Sequence, residues 1–142
     1  MSFYLQKSGQ QFFADMLAGS PLRINGMYVE ATKAESPTAP CIRDSSYFEA
    51  LKKDKETNYA RVALTNAYTD KDLLVHFDAM VREEDFVKKY KRNTTLACAT
   101  LVCMKDDDPA HDIFICTTNF DKPIVVSNST YTVINTSIKL GA

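Results

Sequence analysis

The last third of the chain, from Asn93 to Ala142, most constrains what can fold here: Thr-, Val- and Ile-rich runs are separated by turn chemistry and carry almost no catalytic residue types. Thr95 to Met104 is nearly continuous in apolar side chains, the pattern of a central strand covered on both faces. Lys105 to Pro109 reads as an acidic turn, since Asp and Pro form turns in their own right. Asp112 to Thr118 and Thr130 to Leu140 are further strands by β-branched content. Pro123, which has no amide hydrogen to give a ladder, restricts its segment to an edge or to the start of a strand. This reads as a β framework that ends on a structural strand.

The upstream residues add helices and more strands. Ser8 and Gln11 form a capping-box pattern, Phe12, Phe13, Met16 and Leu17 follow at helical spacing, and Gly19 with Pro21 closes the unit, which predicts a helix from about Gly9 to Ala18. Leu22 to Ala31 predicts a strand with a bulge or a tight turn at Asn25-Gly26. Glu35 to Pro40 is a loop, and Asp44 or Ser45 caps a short helix carrying Tyr47, Phe48 and Leu51, which ends in the solvated Lys52–Glu56 charge run. Tyr59 to Ala67 is a strand followed by a turn at Tyr68–Lys71. Leu73, Val75, Phe77, Ala79 and Val81 alternate with Asp72, Leu74, His76, Asp78, Met80 and Arg82, which favours a half-buried strand over a helix through Asp85. Glu83 to Arg92 is a loop or a helical turn. These elements give a mainly β chain with one or two short helices, an α+β class, arranged as a sandwich-like or barrel-like single domain. Residues 1–21 form an N-terminal arm and helix packed on it, and residues 22–142 form the β unit.

At 142 residues, 45% hydrophobic and 25% charged, the chain suits one folded unit that needs neither disulfide nor metal. Its formal net charge of −1 supplies no field to draw in nucleic acid or an anionic membrane. The N-terminal residues lack the basic start, apolar core and cleavage site of a secretory signal. Cys41, Cys98, Cys103 and Cys116 form no CxxC pair, and three lie in apolar runs, so reduced core thiols are expected and no metal. The glycosylation patterns at Asn93, Asn128 and Asn135 are more simply β-region threonines and serines.

Three clusters carry polar chemistry. Asp106-Asp107-Asp108 with His111 and Asp112 has the carboxylates for a hard cation but lacks the glycine and distant glutamate of an EF-hand loop, so an acidic hairpin turn is the simpler reading. His76 and Asp78 lie on one strand face, where a His–carboxylate pair serves either acid–base chemistry or plain structure. No nucleophile sits on a recognisable turn, and the four glycines, Gly9, Gly19, Gly26 and Gly141, form no phosphate loop. Lys88-Lys89-Tyr90-Lys91-Arg92 interleaves basic and aromatic groups, but Glu83, Glu84 and Asp85 cancel its charge, and a surface element is the default. No catalytic residue, cofactor site or metal site is therefore assigned.

Phe13–Gly19, Ile24–Glu30, Arg43-Asp44 with Tyr47–Leu51, and Tyr59–Val62, taken in this order and followed by Asp112–Phe114, Asn119–Asp121 and a strand running to Ala142, resemble the layout of small virion structural proteins of tailed bacteriophages. The chain departs from that layout in the strand Ala97–Cys103 and in the acidic turn. The resemblance implies a non-enzymatic building block of the tail, baseplate or an attached fibre. Such a block assembles in repeated copies in the host cytoplasm, with itself and neighbouring virion proteins as partners and no nucleic acid or membrane. Phe3, Tyr4, Leu5, Phe12, Phe13 and Tyr90 are the candidate interface anchors, with core packing as their alternative. A different reading is a glycan- or receptor-binding β-sandwich that stacks sugars on Tyr28, Tyr47, Tyr59, Tyr68 or Tyr131. A third is a small hydrolase using His76, Asp78 and His111.

Overall fold

The computed structural model describes residues 2–32, 58–87, 94–126 and 131–139. They form eight strands in two antiparallel sheets with one N-terminal helix, a mainly β, sandwich-like α+β arrangement. The larger sheet has the order β1 (Ser2–Leu5), β7 (Ile113–Val126), β6 (Thr94–Cys103), β2 (Gly26–Thr32), β3 (Asn58–Ala63). The smaller sheet has the order β4 (Asn66–Thr69), β5 (Leu74–Val81), β8 (Thr132–Lys139). The expected short helix near Tyr47 and the Lys52–Glu56 run lie outside the described residues.

The main core lies between the sheets. Met27, Val29 and Ala31 of β2 and Leu96, Ala99 and Leu101 of β6 join Phe77, Ala79 and Val81 of β5 and Ile134 of β8. The period-two pattern of β5 thus places its odd-numbered residues inward, as the sequence predicts. β6 is the interior strand expected of its apolar run, paired with β2 on one side and β7 on the other. Residues that alternate to the other face of the larger sheet are buried as well. Tyr28, Tyr59, Val102 and Phe114 form a second cluster, with Tyr28 stacked on Tyr59 at 6.0 Å and tilted against Phe114 at 5.4 Å.

Several local expectations are corrected. The helix α1 spans Lys7–Leu17 and starts from Gln6, whose side chain makes no cap. Ser8, read from sequence as the cap, instead donates its hydroxyl to the Phe114 carbonyl. The reason lies in β7, where a register shift opposite Leu101/Val102 leaves Ile115 as an extra residue. The Ile115 carbonyl accepts the Gln6 amide at 2.9 Å and sits so close to α1 that a Cβ on Gly9 would lie 2.1 Å from it. Only glycine allows that approach. The helix ends as expected: Gly19 has φ +107°, Ser20 N–H bonds Asp15 O, and Gly19 N–H bonds Met16 O, the two bonds of a Schellman closure.

Leu22–Asn25 is not strand, and Asn25 bridges to the far end of β6 by accepting from Met104 N–H at 2.7 Å and donating to Met104 O at 2.9 Å. The Tyr59–Ala67 strand is broken at Leu64-Thr65, where the chain passes from one sheet to the other. Residues 2–5, assigned no structure from sequence, pair as β1 with Cys116–Asn119. β7 extends past the expected Thr118 to Val126 and carries Pro123 within it. It does so beyond Asn119, the last β7 residue with a β1 partner, so the proline lies where β7 has no neighbour on that side among the described residues. Cys103 and Cys116 are free, buried thiols. Cys98 is disulfide-bonded, which corrects the expectation of a reduced thiol there. Burial in an apolar run does not by itself distinguish the two states.

Candidate functional site

Among the described residues, the polar candidates from the sequence fall in two groups. The first is the acidic turn between β6 and β7, a bend followed by a single 3-10 turn at Pro109–His111. Its carboxylates close the turn themselves: Asp106 accepts from Asp108 N–H at 2.8 Å, and Asp108 accepts from Ala110 N–H at 3.0 Å. His111 Nδ1 lies 2.7 Å from the other Asp106 oxygen; that hydrogen bond raises the histidine pKa and lowers that of the carboxyl. Asp112, whose side chain is fully buried, takes a two-pronged pair from Arg61, with Nε and a terminal nitrogen each at 2.7 Å, and also accepts the Tyr28 hydroxyl. Arg61 further donates to Asp106 O at 2.8 Å. Burial, followed by the bond to Asp112, pushes the Tyr28 pKa well up, and the bond to Asp112 raises that of Arg61, so Tyr28 stays neutral and Arg61 charged. The cluster fastens the turn to β2 and β3; it is a clamp. Among the described residues no three His, Cys, Asp or Glu side chains are grouped to hold a metal.

The second place is the outer face of the smaller sheet. Register sets Tyr68 of β4 beside His76 of β5 and Ser137 of β8, and Asn66 beside Asp78 and Asn135 in the next row. Tyr68 stacks on the His76 ring at 4.8 Å and 16°. The carboxylate partner of His76 is Asp70, at 2.7 Å from Nε2, which corrects the expected pairing with Asp78. Asp78 is reached through Asn135, which donates to it at 2.6 Å and lies 3.5 Å from His76 Nδ1. The sequence view missed Asp70 because it lies in the turn before β5, where its other oxygen also caps the Asp72 and Leu74 amides at 2.8 and 3.1 Å. The bond from His76 lowers the Asp70 pKa, and the same bond raises that of His76. Further along this face Met80 pairs with Val133, which is 55% exposed.

The proposed interface anchors divide. Phe12 is 4% exposed within the core, so its ring is taken up by packing. Leu5 and Phe13 are half-buried against that core. Phe3 and Tyr4 are backbone-paired in β1, and Tyr90 lies outside the described residues. Among the candidate stacking tyrosines, Tyr28 and Tyr59 are buried and present no ring to a ligand, a correction that follows from their place on the covered face. Tyr68 and Tyr131 remain, at 43% and 56% exposed, and Tyr47 is outside the described residues. His76 and His111 belong to separate clusters, one on β5 and one on the acidic turn. The buried thiols are poor nucleophiles: desolvation raises the Cys103 pKa and pushes that of Cys116 up to about 12.

No family model, curated protein or solved structure matches this chain. Among the described residues no helix is long and apolar enough to cross a membrane.

Proposed function

We propose that the protein is a non-enzymatic assembly subunit of the kind used in repeated copies in the tail, baseplate or fibre-attachment region of a tailed-phage virion, made in the host cytoplasm and binding itself and neighbouring structural proteins. The observation that carries this reading is the outer face of the smaller sheet. Its polar group of His76, Asp78 and Asn135, drawn from two adjacent rows, is held in place by internal hydrogen bonds, and exposed Tyr68 and Val133 stand on the same face. Fixed polar groups next to accessible aromatic and aliphatic side chains are the composition of a protein interface, and such a face gains from being covered. The resemblance of the residue order to small virion structural proteins, read from the sequence alone, supports the same reading. Light scattering over a concentration series is the test. A discrete oligomer that Val133→Glu drives toward monomer is expected; a monomer at every concentration, with no binding to neighbouring virion proteins, would overturn the proposal.

A second reading, a glycan- or receptor-binding face, is favoured by the same Tyr68–His76 stack. A sugar ring lies against an exposed tyrosine while Asp78, Asn135 and Ser137 take its hydroxyls. A competable hit on a glycan array that Tyr68→Ala abolishes is expected of it, and silence across chemically varied sugars removes it. The absence of tryptophan from the chain places the protein-assembly reading first.

A further inference from the structure

Among the described residues, α1 and the smaller sheet do not close on each other. Phe13, Met16 and Leu17 of α1 face Val75 of β5 and Ile138 of β8 across a groove of about 450 Å³ that reaches Phe77 of the core. This volume falls within the range of about 300–1,000 Å³ that holds small-molecule ligands. Leu17, at 90% exposed, stands at its mouth. Arg23, on the connection between α1 and β2, brings the sole charge among the described lining residues. Among the described residues it meets no carboxylate within ion-pair distance, whereas Arg61 and Arg82 each do.

We propose that this groove binds a monomeric alkyl carboxylate, the chain lying along Phe13, Met16, Val75 and Ile138 and the head pairing with Arg23. The chemistry of the lining selects this class. The side chains that face the groove, Arg23 apart, offer neither donors nor acceptors, so a peptide laid in it would bury its amides without partners, at a cost that an alkyl chain does not incur. The planar guanidinium fits a carboxylate through two parallel hydrogen bonds, and an apolar tail beside it is removed from water along its whole length. A ligand with a cationic head meets repulsion at the same point.

Calorimetric titration of the full chain with dodecanoate, kept below its micelle concentration, tests the proposal. Saturable one-site binding is expected, with dodecyltrimethylammonium at least about tenfold weaker, because one charge-assisted hydrogen-bonded pair is worth that much. Arg23→Gln, at an exposed position, is expected to weaken dodecanoate by about tenfold and to erase the preference for an anionic head. Leu17→Glu, at the exposed mouth, weakens it by charge repulsion without touching the core. The proposal is overturned if dodecanoate gives no saturable heat, if both head charges bind equally, or if Arg23→Gln has no effect. It is also overturned if phosphatidylglycerol vesicles bind where the monomer does not, or if Leu17→Glu changes only the oligomeric mass.

Discussion

The two sheets use the same residue types for opposite ends. In the larger sheet both faces are buried: Met27 and Val29 point into the main core, while Tyr28 and Glu30 on the same strand are buried on the other side. In the smaller sheet Phe77 and Ala79 point inward and His76 and Asp78 outward. Tyrosine and aspartate therefore act as scaffold around one sheet and as accessible chemistry on the other. In the larger sheet register aligns Tyr28, Thr100 and Thr117 in one row, and the two threonine hydroxyls bond at 2.9 Å, with Gln6 donating to Thr117 at 3.0 Å. Thr100, Thr117 and the Gln6 side-chain nitrogen there bond one another, which offsets the cost of placing polar groups in a dry layer.

The largest effect that sharpens this contrast is Asp112→Ala. It strands the Arg61 guanidinium and the Tyr28 hydroxyl beside a fully buried position, and should cost about 3 kcal/mol in urea-unfolding free energy. A loss below about 1 kcal/mol would show that the clamp is as wet as the outer face. Next is Gly9→Ala. The added methyl meets the Ile115 carbonyl, a backbone atom that cannot turn aside, so α1 must lift from β7 at about 2 kcal/mol, read as a lowered unfolding midpoint. Asp78→Ala, the counterpart of Asp112→Ala on the smaller sheet, removes an exposed bond with Asn135 and should cost about 0.5–1 kcal/mol. A cost equal to that of Asp112→Ala would erase the distinction between the sheets.

The smallest effect is a pH signature. The His76 pKa is raised from its ordinary 6.5, so its contribution is full below that value and lost as pH rises through the folded value. The Asp70 pKa is lowered from 3.8, so its contribution is full above that value and lost as pH falls through the folded one. The pair therefore stabilises most between about pH 3.8 and 6.5. The difference in urea midpoint between the parent chain and His76→Gln should be greatest in that window and shrink on both sides. A difference that does not vary from pH 3 to 9 would mean the two side chains are not paired in solution.

The sequence disclosed what depends on a strand's own pattern. The alternation from Val75 to Val81 gave the inward face of β5, the unbroken run from Thr95 gave the interior position of β6, and the carboxylates after Lys105 gave the turn. It did not disclose what depends on register between distant strands. Ser8 looked like a cap because its spacing to Gln11 is right, yet the bulge at Ile115, more than 100 positions on, decides where its hydroxyl goes. The partner of His76 was misread for a similar reason: strand periodicity pointed to Asp78, and the turn geometry at Asp70 won. The groove was hidden as well, since Phe13, Val75 and Ile138 each look like ordinary core positions until three elements fail to meet.

The pairing of Ser2–Leu5 with Cys116–Asn119 has a consequence for biosynthesis. A ribosome delivers about 5–20 residues per second, so the first strand and the helix after it wait several seconds for the strand on which both dock. A nascent chain arrested before Cys116 emerges should leave its leading residues open to protease, and release of the rest should close them off. Contacts this distant along the chain also make refolding slow. The larger sheet is thus completed only once Asn119 has been made, and whatever binds the chain in that interval meets β1 without its partner.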